Sequence, residues 1–153
     1  MKAKVLVLGV LFLSLSLLCL QLEEKEKPSK IEQEIKAISD NETIAKFISI
    51  LKVEDDGSMY HIWIIFLFGP KNHDEVQIWT DVVCKSSKFI LDNNDVARNI
   101  EVWAIRVLGF SWEEGGVMFY GRTFYDRHTG KIEFKNINEL KSKEEKKAVG
   151  LLE

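Results

Sequence analysis

Cysteine, histidine and paired carboxylates are the groups in this sequence that could carry chemistry, and what stands beside each decides what it can do. Cys84 shares a helical stretch with Ser87 and Lys88, but no histidine falls near enough in sequence to serve as its base. A thiol without a base is a weak nucleophile, so Cys84 is expected to be small and buried. His61, His73 and His128 fall on a strand, a helix start and a turn, and none has a second ligand at a spacing that builds a zinc site. Asp92, Asn93, Asn94 and Asp95 are as oxygen-rich as a calcium loop yet lack its glycine and its distant bidentate glutamate, so they are expected to end a helix.

The acid pairs Asp55-Asp56 and Glu113-Glu114 stand where hairpin loops are expected, and loops carry polar residues in any case. Gly115-Gly116 is a turn signal with no helix start behind it to receive an anion. The expectation is therefore no catalytic residue, no metal and no cofactor. An enzymic alternative assembles its site from Cys84, His61 or His128 with a carboxylate.

These groups are positioned by a chain of 153 residues, enough for one domain. Lys2 and Lys4 precede an apolar segment over residues 5–22, and Glu23-Glu24-Lys25-Glu26-Lys27 follows it. A basic start, a long apolar run and a charged flank are the layout of an export signal or a membrane anchor. As a helix the run is roughly 27 Å long, enough to cross a bilayer core. Leu18 stands before Cys19 where a lipid-attachment signal wants a small residue, so Cys19 reads as a thiol within the apolar run. The expected organisation is a signal peptide or membrane anchor over 1–22, a charged stalk over 23–30, an α+β domain over 31–137 and a polar tail, a frayed helix, over 138–153. The basic N-terminus places the domain outside the cytoplasm, held at the membrane, or secreted if the segment is cleaved.

Beyond residue 22 there are 24 acidic residues against 19 Lys and Arg, a net charge of about minus five. That balance argues against nucleic acid as a partner. Cys84 has no second cysteine in this part, so stability rests on a hydrophobic core rather than on a disulfide.

Residues 59–68 contain an unbroken apolar run, Ile62 to Phe68, between the turn signals Asp56-Gly57 and Gly69-Pro70, which predicts a central strand. Residues 44–53 fit either a helix or an alternating strand; the loop signal after them favours a strand and a β-hairpin. Ile31, Ile35 and Ile38 make a helical stripe after Ser29, and Val76, Trp79, Val83 and Ile90 make a longer one after a cap at Asn72 or Asp74. Residues 100–110, 117–126 and 131–134 read as three further strands, with a turn at 112–116. The expected fold is α+β: an antiparallel twisted sheet of about five strands with two helices on one face.

Charged residues in mid-strand avoid a helix-covered face, which assigns Arg106 and Arg122 to the other face with Tyr120, Phe124, His61 and Trp63. These aromatics among arginines have two readings. One is cross-strand packing of guanidinium groups over rings; the other is a recognition surface for a protein partner, a second copy of the chain or a ligand. Asn41-Glu42-Thr43 matches the N-glycosylation acceptor pattern, and also reads simply as a polar turn.

Overall fold

In a computed structural model of the chain, residues 28–107 and 117–139 are described. Ser29 caps the first helix, α1 (Lys30–Lys36): its hydroxyl accepts from the backbone of Glu32, whose carboxylate accepts from the backbone of Ser29. This reciprocal pair satisfies two of the donors a helix start leaves open. The helix buries Ile35 completely and hands over to a 3-10 turn at Ala37–Asp40.

A second 3-10 turn at Ile44–Lys46 precedes β1 (Ile48–Asp55). The strand expected over 44–53 therefore begins four residues later than its alternation suggested. Asn41 stays exposed and its side chain accepts from the backbone of Thr43 at 3.0 Å, a local turn that winds the following residues away from the sheet.

Asp56 and Gly57 make the hairpin to β2 (Met59–Phe66). Gly57 has φ +88°, and Asp56 Oδ1 accepts from Ser58 N, Ser58 Oγ and Met59 N, each at 2.8 Å. A positive φ is open to glycine without strain, and the aspartate supplies the acceptor that the tight turn lacks.

Asn72 caps the long helix α2 (His73–Asn93), accepting from Glu75 N at 2.8 Å. The helix ends in a Schellman arrangement: Asp95 takes φ +54°, Val96 N donates to Leu91 O and Asp95 N donates to Asp92 O. Thus the Asp92–Asp95 tract terminates a helix, and among the described residues no cluster of His, Cys, Asp or Glu could hold a metal ion. Three strands follow, β3 (Asn99–Val107), β4 (Val117–Tyr125) and β5 (Ile132–Asn136).

The strands lie in chain order, β1-β2-β3-β4-β5. The fold is α+β with both helices on one face, but the sheet is mixed rather than antiparallel, because β2 and β3 pair parallel. The cause is α2: a chain that leaves one strand end through a long helix returns to the opposite end and starts its next strand in the same direction.

Ile48, Ile50, Tyr60, Ile62, Ile64, Ile100, Val102 and Ala104 bury against Ile35, Val76, Val83, Cys84 and Leu91 from the helices. Thr80 and Thr123 join α2 to β4 within this core, their hydroxyls 2.7 Å apart, and Thr123 donates on to Asp81. Among the described residues no helix is long and apolar enough to cross a membrane. The apolar segment over 1–22, the stalk as far as residue 27, the turn over 112–116 and the tail beyond residue 139 lie outside the described residues.

Candidate functional site

The second sheet face carries a row of paired positions across all five strands: Lys52, Trp63, Trp103, Arg122 and Lys135. The Lys52 ammonium lies 5.2 Å from the centre of the Trp63 ring, and the Arg122 guanidinium 5.3 Å from that of Trp103. Such contacts contribute about 0.5 to 1 kcal/mol each at exposed sites.

Two residues nearer the hairpin along β2 and β3, a polar network crosses the same face. His61 Nδ1 lies 2.9 Å from Glu101 Oε2, His61 Nε2 lies 3.0 Å from Asp56 Oδ2, and Arg122 Nη1 donates to Glu101 Oε1 at 2.6 Å. Desolvation pulls the His61 pKa down, but the two carboxylates outweigh it and hold the ring above its ordinary 6.5. Trp103 is 3% exposed, Ile105 0% and Phe119 6%, so the centre of this face is closed.

Of the six residues expected on the second face, His61, Trp63, Arg122 and Phe124 lie there. Tyr120 and Arg106 do not. A bulge in β4, where Ala104 pairs with Gly121 and Ile105 with Phe119, turns Tyr120 onto the helix side, edge-on to Phe66. Arg106 shares the parity of Ala104 and therefore also points to the helix side; it stays exposed because it stands near the strand end.

A second concentration of charge lies where the end of α2, the start of β3 and the β4–β5 turn meet. The register brings these together, since Ile100 pairs with Tyr125. They form a cleft of about 660 Å³ lined by Lys88, Arg98, Tyr125, Arg127 and His128, by Leu91 and Val96, and by the carboxylates of Asp92 and Asp95. That volume lies within the range of small-molecule sites, roughly 300 to 1,000 Å³.

The cations are held in place by local bonds. Arg127 Nη1 donates to Ala97 O at 2.6 Å and its Nε donates to His128 Nε2 at 3.4 Å, while Arg127 N donates to Asn99 Oδ1 at 3.1 Å. Arg98 Nε is buried 3.7 Å from Asp55 Oδ1, with no hydrogen bond to it among the described residues. Lys88 pairs with Asp92 and lies 5.5 Å from the centre of the Tyr125 ring.

Cys84 is fully buried on the helix side of the sheet, and desolvation, with the Asp81 charge adding to it, pushes its thiol up to about 12. His61 lies on the opposite side of the sheet from Cys84, so the two make no nucleophile and base pair. Compared with known families, curated proteins and solved structures, the chain matches none.

The cleft cations Lys88, Arg98 and Arg127 were not legible as a site. They are scattered over 40 residues, and only the pairing of β3 with β4 collects them. The available signal was two turn tracts, 92–95 and 126–130, flanking segments that become adjacent strand ends.

Proposed function

We propose that this chain is a non-enzymatic binding domain, carried outside the cytoplasm on its N-terminal membrane segment, and that it holds a small organic anion in the cleft between α2, β3 and the β4–β5 turn. The supporting observation is the convergence of Arg98, Arg127, Lys88 and His128 on a ligand-sized cleft in a domain of net negative charge. Arginine forks match carboxylate and phosphate oxygens, and the Tyr125 ring with Leu91 and Val96 suits the organic part of such a ligand.

Calorimetric titration of the full chain in detergent with glycerol 3-phosphate tests this. Saturable heat is expected in the wild type and a loss of it in the double variant Arg98→Gln, Arg127→Gln. Equal heats in the two proteins, or none beyond those of sodium chloride at matched ionic strength, would contradict it.

A second reading keeps recognition on the sheet, at the margin where His61, Trp63 and Phe124 are half-buried rather than closed over. It accommodates a protein partner or a second copy. The enzymic alternative is left with His128, the one of its three candidate groups that lines the cleft.

A further inference from the structure

We infer that the ligand of this cleft is a zwitterion, a free α-amino acid with a large aliphatic or aromatic side chain. The inference rests on the anion binding proposed above and deepens it by naming the class of ligand. Its basis is which charges in the cleft are matched within the protein and which are not.

Two cations of the lining already face a carboxylate. Lys88 holds Asp92 one turn along α2, and Arg98 Nε stands 3.7 Å from Asp55 Oδ1. What this leaves is one charge of each sign. The Arg127 side chain bonds two uncharged groups, the Ala97 carbonyl and the His128 ring nitrogen, and meets no carboxylate among the described residues. The Asp95 carboxylate makes neither an ion pair nor a hydrogen bond among the described residues, and it lines the same cleft.

The two unmatched groups are neighbours. Asp95 stands on the link between α2 and β3, and the carbonyl that holds Arg127 belongs to Ala97 on the same link. They nevertheless do not pair with each other. A simple anion seated on Arg127 would lie beside the negative charge of Asp95, and a simple cation on Asp95 would lie beside Arg127. Each would gain one attraction and meet one repulsion.

A molecule that carries both charges on one carbon gains both attractions. Its carboxylate accepts from the part of Arg127 that the internal bonds leave open and from Arg98, whose guanidinium makes no hydrogen bond among the described residues. Its ammonium donates to Asp95. Leu91, Val96 and the Tyr125 ring then face the side chain, and a cleft of about 660 Å³ has room for a large one.

The test is calorimetric titration of the full chain in detergent with L-phenylalanine, with 3-phenylpropionate, which lacks the ammonium, and with 2-phenylethylamine, which lacks the carboxylate. L-leucine supplies a second side chain. Phenylalanine or leucine is expected to bind at least about tenfold more tightly than either phenyl analogue. Asp95→Asn is expected to weaken the amino acid about fivefold or more and to strengthen 3-phenylpropionate, since it removes both the ammonium's partner and the repulsion of a lone carboxylate. Asparagine also suits the positive φ of this position, so the end of α2 stays formed. The comparison of ligands on the wild type needs no variant at all.

Three results overturn the inference: 3-phenylpropionate binding as tightly as the amino acids, amino-acid affinity indifferent to Asp95→Asn, or no saturable heat with phenylalanine and leucine. Heat from 3-phenylpropionate or glycerol 3-phosphate that is lost in Arg98→Gln, Arg127→Gln, without tighter binding of an amino acid, refutes the zwitterion while leaving an anion site. No heat from any of these ligands removes both proposals.

Discussion

The guanidinium of Arg127 donates to the carbonyl of Ala97 at 2.6 Å, so the β4–β5 turn is fastened to the chain just before β3 across the mouth of the cleft. One bond thus shapes the site and ties two segments 30 residues apart. Arg127→Gln is expected to lower stability by only about 0.5 to 1.5 kcal/mol, the net worth of a hydrogen bond to an accessible group. Chemical denaturation reads the stability, and the glycerol 3-phosphate titration reads the affinity. A large stability loss with unchanged affinity would make Arg127 a structural residue alone.

Asp95 closes α2 at φ +54°, where glycine carries no Cβ penalty. Asp95→Gly is expected to raise stability by about 1 kcal/mol, as relief of the left-handed strain exceeds the entropy that glycine gains in the unfolded chain. It also removes a negative charge from the cleft lining, so anion affinity is expected to rise. A fall in melting temperature would show that the Asp95 side chain makes a stabilising contact of its own.

His61 stands between Asp56 and Glu101, and both ring nitrogens can donate only in the imidazolium form. Its folded pKa is raised above 6.5, so its stabilising contribution is fully present below 6.5 and is lost as pH rises through the folded value. Asp56 is shifted the other way, held well below its ordinary 3.8 first by His61 and then by the hairpin donors. Its contribution is present above 3.8 and is lost in acid. The stability difference between wild type and His61→Gln should therefore shrink as pH rises from about 6 to about 9. Denaturation midpoints that keep a constant difference across that range would contradict the double hydrogen bond.

Gly121 lies where a Cβ would come within 2.8 Å of Lys135 O and 3.0 Å of the Phe134 ring. Backbone on a paired strand has little room to give, so Gly121→Ala is expected to cost about 1 to 3 kcal/mol. A neutral effect on the thermal midpoint would mean that β5 can move aside.

Much of the frame was legible in residue patterns. Ser29, Asn72 and Asp56-Gly57 mark the helix starts and the hairpin, and the stripes Ile31-Ile35-Ile38 and Val76-Val83-Ile90 bury as their spacing implies. The parallel pairing of β2 with β3 was implicit in a helix between two strands, yet the antiparallel hairpins on either side suggested one uniform sheet. Arg106 and Tyr120 went astray because alternation assumes an unbroken period of two and a charge that must avoid the covered face. A bulge resets the period in β4, and the position of Arg106 near a strand end leaves it exposed on the helix side. The cleft was marked only by the turn tracts 92–95 and 126–130, since its assembly is the product of register rather than of a local motif.

Arg98 and Arg127 are proposed to receive an anion jointly, and the guanidinium resonances of the two residues report on it most directly. On titration of the full chain with glycerol 3-phosphate, both sets of N–H signals are expected to shift together and saturate at one affinity. Those of Arg122, on the far side of the sheet, are expected to stay in place. Unmoved Arg98 and Arg127 signals, or equal movement of all three, would contradict a discrete site in the cleft.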